Sequence, residues 1–243
     1  MITRKIFIVK GFSKSAEEKE FDEQFVKYYI KFFSSNAGGA YYSDEITYLS
    51  EPDNETLAEK LNEQKLDYGI LVYIGHGANL DHNHIFQLNQ KEIIKAGQFI
   101  INTEKQIVIV ESCRVLLRDI PTVDLADKIP KFEKGGIFRN KLTKEQSREV
   151  YDSHVKRCEP GLMICYACSL GEEAYNFVFS SKFLQHAMDW HLDSSHHCAI
   201  LPVDILMLNS WTDVLLTVAE KFTEYQNPHS EGSTNFPIAV SKY

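Results

Sequence analysis

The chain has 243 residues, of which 44% are hydrophobic and 25% are charged. This balance is typical of a globular protein and argues against a disordered or fibrous chain. The net charge of −8, from 26 Lys and Arg against 34 Asp and Glu, argues against general binding to nucleic acid or anionic membranes, because that binding needs clustered cations. The length fits one large α/β domain spanning residues 1–243, or at most two small domains.

Neither secretion nor membrane insertion is expected from the sequence. The apolar run before Lys10 is short, and no later stretch approaches the roughly 20 apolar residues that cross a bilayer. The five cysteines have irregular spacing, which favours reduced thiols in a cytoplasmic protein over a disulfide framework. They are Cys113, Cys158, Cys165, Cys168 and Cys198.

Strands and helices alternate in the predicted first half of the chain. Apolar runs at 5–11, 46–49, 68–74 and 106–110 predict four buried strands. Ser15 and Glu18 form a capping box before a run of aromatic residues at helical spacing, and Asp53 precedes a second, more polar helix. The segment between the third and fourth strands is predicted to be a polar loop followed by an amphipathic stretch around Ile93 and Ile94.

The second half begins with a long segment, 114–160, that contains a helix capped by Thr143 and Gln146. A fifth strand is predicted at 161–167, followed by one helix around 183–188 and a longer helix at 203–222. The run 236–240 predicts a final edge strand, a position that tolerates Pro237. This alternation favours a mostly parallel sheet with helices on both faces.

Two chemically unusual side chains follow buried strands in this order. His76 comes just after the third strand and Cys113 just after the fourth. Ligand sites of parallel sheets lie beyond the carboxyl ends of the strands. The sequence therefore predicts that His76 and Cys113 share one site.

A cysteine and a histidine in this position can hydrolyse an amide. Cys113 would attack a carbonyl, His76 would deliver a proton to the leaving amine, and the backbone N–H groups of Gly77 and Cys113 would bind the developing oxyanion. In the alternative interpretation, His76 is a satisfied turn residue and Cys113 a buried thiol without a catalytic role. Their joint position at two strand ends favours the catalytic interpretation.

These residues also resemble a known family. Gly75-His76-Gly77 after one apolar strand, and Glu111-Ser112-Cys113-Arg114 after the next, resemble the catalytic motifs of caspase-like cysteine peptidases, including metacaspases and their bacterial relatives. The resemblance covers nearly the whole chain and implies a three-layer sandwich around a mostly parallel six-stranded sheet. It also implies a large-lobe part at about 1–130, a connecting segment at about 131–160 and a small-lobe part at about 161–243.

Some positions depart from the family pattern. His76 and Cys113 are 37 positions apart, fewer than the ≈ 50 quoted for caspases, which predicts a trimmed loop between the two strands. Ser112 precedes the cysteine, and no glycine follows Arg114. None of these differences removes a catalytic group.

The resemblance makes Glu111 a wall of the primary specificity pocket. A carboxylate there would pair with Arg or Lys before the scissile bond. The family's second pocket acid falls near Leu170 and is absent, with Glu172 or Glu173 as nearby candidates. Alternatively, Glu111 forms a surface ion pair, for which the candidate partners are Arg114 and Arg118.

No metal and no cofactor are predicted. Cys165 and Cys168 have C-x-x-C spacing, but no second such pair completes a zinc site, and strand alternation would turn them to opposite faces as core thiols. The other potential ligands lie in predicted loops, where a metal site is not favoured. They are Asp81, His82 and His84, and His196, His197 and Cys198.

The expected activity is that of a cytoplasmic cysteine endopeptidase that cleaves after Arg or Lys through an acyl-enzyme. Its partners would be protein or peptide substrates and a possible protein or ligand activator, with no nucleic acid and no membrane. The basic residues around Gly135-Gly136 predict self-processing that gates activity, although an inert surface excursion is the alternative. A catalytically silent caspase-like interaction or assembly module is the alternative function. A nucleotide-binding domain is disfavoured because the glycine-rich phosphate loops are missing.

Overall fold

A computed structural model describes residues 2–80, 83–114, 142–175, 177–196, 199–222, 225–232 and 234–242. Its strands and helices alternate along much of the chain, as the sequence predicts. In chain order they are β1 (Arg4–Lys10), α1 (Ala16–Ser34), β2 (Ile46–Ser50), α2 (Asn54–Asn62), β3 (Tyr68–Ile74), β4 (Gly77–Leu80), β5 (Asn83–Gln87), β6 (Ile93–Lys95), β7 (Lys105–Glu111), α3 (Lys144–Arg157), β8 (Gly161–Tyr166), α4 (Val178–Leu192), β9 (Ile200–Pro202), α5 (Val203–Phe222), β10 (His229–Glu231) and β11 (Pro237–Val240).

The central sheet has six strands in the order β10-β8-β7-β3-β1-β2. The five strands from β8 to β2 are parallel, and β10 pairs antiparallel with β8 at one edge. In this register β3 and β7 are neighbours and end side by side, with Ile74 opposite Glu111. The predicted mostly parallel six-stranded α/β fold is therefore confirmed.

One strand of that sheet differs from the prediction. The run expected to form the sixth strand becomes β11, which pairs with β9 in a separate two-stranded sheet. The edge position belongs instead to β10, whose three residues, His229 to Glu231, are polar or charged. All four residues of β11 are buried, which suits a covered position. A three-residue polar strand has no hydrophobic pattern from which it could be predicted.

Three helix starts follow the predicted capping signals. The Ser15 side chain accepts a hydrogen bond from the Glu18 N–H at the start of α1, at 3.1 Å. Asp53 caps α2, and Thr143 caps α3 in a capping box with Gln146. Satisfying the free N–H groups of the first turn fixes where each helix begins.

Each face of the sheet supports a hydrophobic core of its own. Along β3, Ile70 and Val72 belong to the core under α1, α3, α4 and α5, whereas Leu71 and Tyr73 belong to the core on the α2 side. Successive strand residues point to opposite faces, so a strand covered on both sides is apolar throughout. This accounts for the continuous apolar runs in the sequence and for the three layers.

The segment predicted as a polar loop between β3 and β7 contains the strands β4, β5 and β6. They form a small antiparallel sheet in which β5 is central. Phe86 and Ile94 from this sheet join the core on the α2 side. Strands of three to five residues contain too few alternating positions for a clear sequence pattern, so burial against the main sheet decides their structure.

Among the described helices, none is long and apolar enough to cross a lipid bilayer.

Candidate active site

The turns that carry His76 and Cys113 are in direct contact. The Gly75 N–H donates to the Glu111 carbonyl at 3.2 Å, and Gly75 has a φ of +148°, which favours glycine. A Cβ atom at Gly77 would lie 2.5 Å from Ser112 Oγ and 2.9 Å from the Cys113 carbonyl oxygen. The structure thus places both turns together at the carboxyl ends of β3 and β7. Their catalytic roles stay predictions.

Both the backbone and the ring of His76 are held by neighbouring groups. Its carbonyl oxygen accepts hydrogen bonds from the Tyr73 hydroxyl at 2.8 Å and from the Gln87 N–H at 3.0 Å. Its ring nitrogen Nε2 lies 2.8 Å from Glu18 Oε1. The two atoms are close, but they do not form a well-aligned hydrogen bond, and Nε2 has no other hydrogen-bond partner among the described residues. The histidine turn is therefore tied to the first turn of α1.

Glu18 is a site residue that the sequence indicated only as part of a helix cap. Burial would raise the pKa of Glu18, but the His76 ring and the Lys14 N–H together hold that pKa below its usual value. The carboxylate therefore stays charged beside the imidazole at neutral pH. In the sequence, Glu18 was noted only as part of a predicted capping box. That pattern does not show that the side chain also contacts a residue on another element.

The Cys113 thiol lies under the segment that follows β8. The Ala174 N–H points to Cys113 Sγ at 3.4 Å, and the Arg114 N–H donates to the Glu172 carbonyl at 3.0 Å. Burial raises the pKa of the Cys113 thiol, although the Ala174 N–H opposes this shift. The thiol is therefore protonated at neutral pH, and a thiolate requires a proton acceptor at the site.

Glu111 lies beneath the start of α4 rather than on the surface. Its Oε2 accepts hydrogen bonds from the Ser180 N–H, at 2.9 Å, and from the Ser180 hydroxyl. Its Oε1 is buried and has no partner among the described residues. Burial raises the pKa of Glu111 to about 7. The site thus holds a carboxyl group with one unused acceptor two positions before the cysteine.

The alternative interpretation, in which Glu111 pairs with Arg114 on the surface, is wrong. Strand alternation turns Arg114 to the opposite face of the sheet, where its guanidinium lies 3.9 Å from the centre of the Tyr166 ring and 3.5 Å from Glu231. The other suggested partner, Arg118, lies outside the described residues. Glu111 is therefore a buried acid without an arginine partner in the part of the chain that the structure describes.

His84 contacts the backbone of the Cys113 turn. Its Nε2 lies 3.2 Å from the Cys113 carbonyl oxygen, and the Asn79 side-chain amide donates to the Arg114 carbonyl. Burial lowers the pKa of His84 to about 4, so the ring is neutral. A cavity of about 510 Å³ is lined in part by His84 and Arg114. No sequence pattern indicated that this histidine, which lies in β5, would be placed beside the cysteine.

Glu172, one of the two candidates for a second pocket acid, fastens the loop after β8. Its carboxylate accepts from the Ser169 N–H at 3.1 Å, from the Asn227 N–H at 2.7 Å and from the Asn227 side chain at 2.5 Å. The neighbouring Gln226 Oε1 accepts from the Tyr175 N–H at 3.0 Å. These bonds attach the segment over Cys113 to residues 226–227. This carboxylate therefore uses three of its hydrogen-bond acceptor sites within the fold.

The C-x-x-C cysteines occupy buried positions as free thiols. Cys165 is fully buried in the core that contains Ile70 and Val72, and Cys168 lies against the Cys113 turn, with its Sγ 3.5 Å from the Ser112 carbonyl oxygen. Within the described ranges, no three potential metal ligands cluster. Four of the loop residues considered as ligands, namely Asp81, His82, His197 and Cys198, lie outside the described residues.

Solved structures show where this fold occurs elsewhere. The chain is similar to caspase-1 from Spodoptera frugiperda, with a TM-score of 0.53 and 9% identity over 95% of this chain and 86% of that chain. It is also similar to the Drosophila initiator caspase Dronc, with a TM-score of 0.51 and 9% identity over 97% of this chain and 81% of that chain. No protein-family model and no curated protein matches the sequence. The similarities confirm the predicted caspase-like sandwich.

Proposed function

We propose that this caspase-like chain is a cysteine endopeptidase with Cys113 as nucleophile and His76 as the proton-transfer residue. The observation that carries the proposal is the contact between their turns, where Gly77 lies against the Cys113 backbone. The fold supports it, because neighbouring parallel strands deliver both groups to one edge of the sheet. The resemblance of the two motifs to metacaspases and their bacterial relatives points to the same chemistry.

The proposed reaction has two stages. His76 takes the proton from Cys113 Sγ, and the thiolate attacks the substrate carbonyl carbon, forming an S–C bond and a tetrahedral oxyanion. The N–H groups of Gly77 and Cys113 stabilise that oxyanion. The C–N bond then breaks, and His76 gives its proton to the leaving amine. Water attacks the acyl-enzyme in the second stage, and Cys113 is released as a thiol.

We propose that substrates carry Arg or Lys immediately before the scissile bond. Glu111 supports this preference because its buried Oε1 has no partner among the described residues. A substrate cation would supply the missing partner and keep the carboxyl group ionised.

The free thiols of Cys113, Cys158, Cys165 and Cys168 support a reducing, cytoplasmic environment.

The test is covalent labelling with a peptidyl-arginine acyloxymethyl ketone, followed by peptide mapping. We expect one adduct, on Cys113, and a much slower reaction with the matched aspartyl reagent. The Cys158→Ala variant serves as a control that should label normally. If iodoacetamide modifies Cys113 while the peptide reagent does not, the thiol is reachable but the chain does not bind substrate as proposed.

A catalytically silent interaction module is the second candidate. The specific observation in its favour is the segment over Cys113, whose Ala174 N–H contacts the thiol. In a silent module this segment would stay in place and the raised thiol pKa would persist. Absence of both labelling and hydrolysis, with a cooperatively folded chain, would favour this candidate.

We predict that the connecting segment is cut by the enzyme itself. Of the residues between Cys113 and Gly161, those at 142–160 include α3, whereas those at 115–141 lie outside the described residues. Lys131, Lys134, Arg139 and Lys141 would suit a pocket that binds basic residues. Incubated wild-type protein should show cuts between Lys131 and Lys144 and a parallel rise in activity, whereas Cys113→Ala should stay intact. Full activity of an uncut chain without any activator would contradict the prediction.

A further inference from the structure

The two oxygens of the Glu18 carboxylate serve different parts of the molecule. Oε2 accepts the Lys14 N–H at 2.5 Å, while the Glu18 N–H donates to Ser15 Oγ at 3.1 Å. The carboxylate thus bonds the N–H of the residue before the N-cap Ser15, rather than the N-cap N–H that a capping box would use, and it anchors the start of α1. Oε1 faces the other way and lies 2.8 Å from His76 Nε2. The helix cap therefore holds the carboxylate in a fixed orientation toward the histidine.

The surroundings keep this contact from being an ordinary surface ion pair. The two side chains are only 30% and 32% exposed, so water screens the contact less than it would an exposed pair. Asp22, four residues after Glu18 in α1, accepts a hydrogen bond from the Ser13 hydroxyl at 2.7 Å. Glu17, in the same first turn, is exposed. Glu18 is thus the acid of this turn that contacts His76.

We infer that Glu18 is a positioning residue for His76. Because Nε2 is the ring nitrogen beside the carboxylate, at 2.8 Å from Oε1, the neutral ring is expected to hold its proton on Nε2 and its lone pair on Nδ1, the nitrogen that would receive the Cys113 proton. Once that proton has moved, the Glu18 charge stabilises the imidazolium until the proton reaches the leaving amine. This inference rests on the proposed peptidase function and adds a third member to its machinery.

The kinetic test compares Glu18→Gln, Glu18→Ala and the matched control Glu17→Gln. Glutamine is also found at this position of capping boxes, so Glu18→Gln removes the charge and keeps the helix start. We expect kcat to fall about 10-fold in Glu18→Gln and about 100-fold in Glu18→Ala, with KM changed less than about twofold. Glu17→Gln loses the same charge from the same turn and should match wild type.

Nitrogen-15 NMR of the histidine ring provides a readout that needs no activity. In a Cys113→Ala background, neutral His76 should be the Nε2–H tautomer, and Glu18→Ala should produce a mixture of both tautomers. An unchanged tautomer and an unchanged kcat would overturn the positioning role. Because the NMR result does not depend on turnover, it separates failure of this inference from failure of the proposed function.

Discussion

Replacing either Cys113 or His76 by alanine is expected to abolish peptide hydrolysis and to leave thermal unfolding cooperative. In the proposed mechanism Cys113 supplies the bond-forming sulfur, and His76 accepts the proton of a thiol whose pKa burial raises. Both residues lie in turns after strands, so their truncation removes little core packing. Turnover of an arginyl reporter peptide and a melting curve for each variant measure the two outcomes.

Controls come from residues of the same type elsewhere in the chain. Cys158→Ala removes a free thiol at the end of α3, and His154→Ala removes a half-buried histidine of the same helix. Both should keep wild-type turnover. A Cys113→Ala or His76→Ala enzyme that cleaves at the wild-type rate would remove that residue from the mechanism, and noncooperative melting would instead indicate a structural role.

Glu111→Gln should lose activity and gain stability, a combination that a structural role would not produce. If Oε1 receives the substrate cation, neutralising it should lower kcat/KM for Arg and Lys substrates by roughly 10- to 100-fold, since a hydrogen bond to a charged group is worth roughly 1.5–3 kcal/mol. Asp-containing reporters should not be cleaved faster by wild type than the basic ones. Basic selectivity that survives Glu111→Gln would contradict the pocket assignment.

The stability effect follows from the raised pKa of Glu111, about 7 in the folded chain against a usual 4.5. The folded state holds the proton more tightly, so this group lowers stability progressively as pH rises from about 4.5 to about 7 and then levels off. At pH 8, Glu111→Gln removes that penalty. The increase in the free energy of unfolding that this substitution causes should therefore be larger at pH 8 than at pH 4, by on the order of 3 kcal/mol. Urea unfolding in a Cys113→Ala background, which prevents self-cleavage, measures the difference. Glu104→Gln, at an exposed acid, should show no such pH dependence.

Local sequence patterns determined the layered architecture of this protein and the positions of the turns that carry His76 and Cys113. The continuous apolar runs of β1, β3 and β7 require burial on both faces, which leaves a parallel sheet between helices as the stable arrangement. Cap residues such as Ser15 and Thr143 fixed helix starts because their bonds are made within four residues. His76 and Cys113 could be placed at one edge because the ends of parallel strands meet there.

Only the tertiary structure decided which groups face those two residues. Glu18, His84 and Ala174 lie on three other elements, and their contacts with His76 or Cys113 join segments far apart in the sequence. The same holds for β10, which exists because β8 offers it a free edge rather than because its own residues favour a strand. A sequence pattern shows which face of each segment must be buried. Which of several chemically similar side chains then contacts a given residue depends on how the packed elements are oriented. The burial of Glu111 under α4, instead of its pairing with Arg114, is a direct result of that orientation.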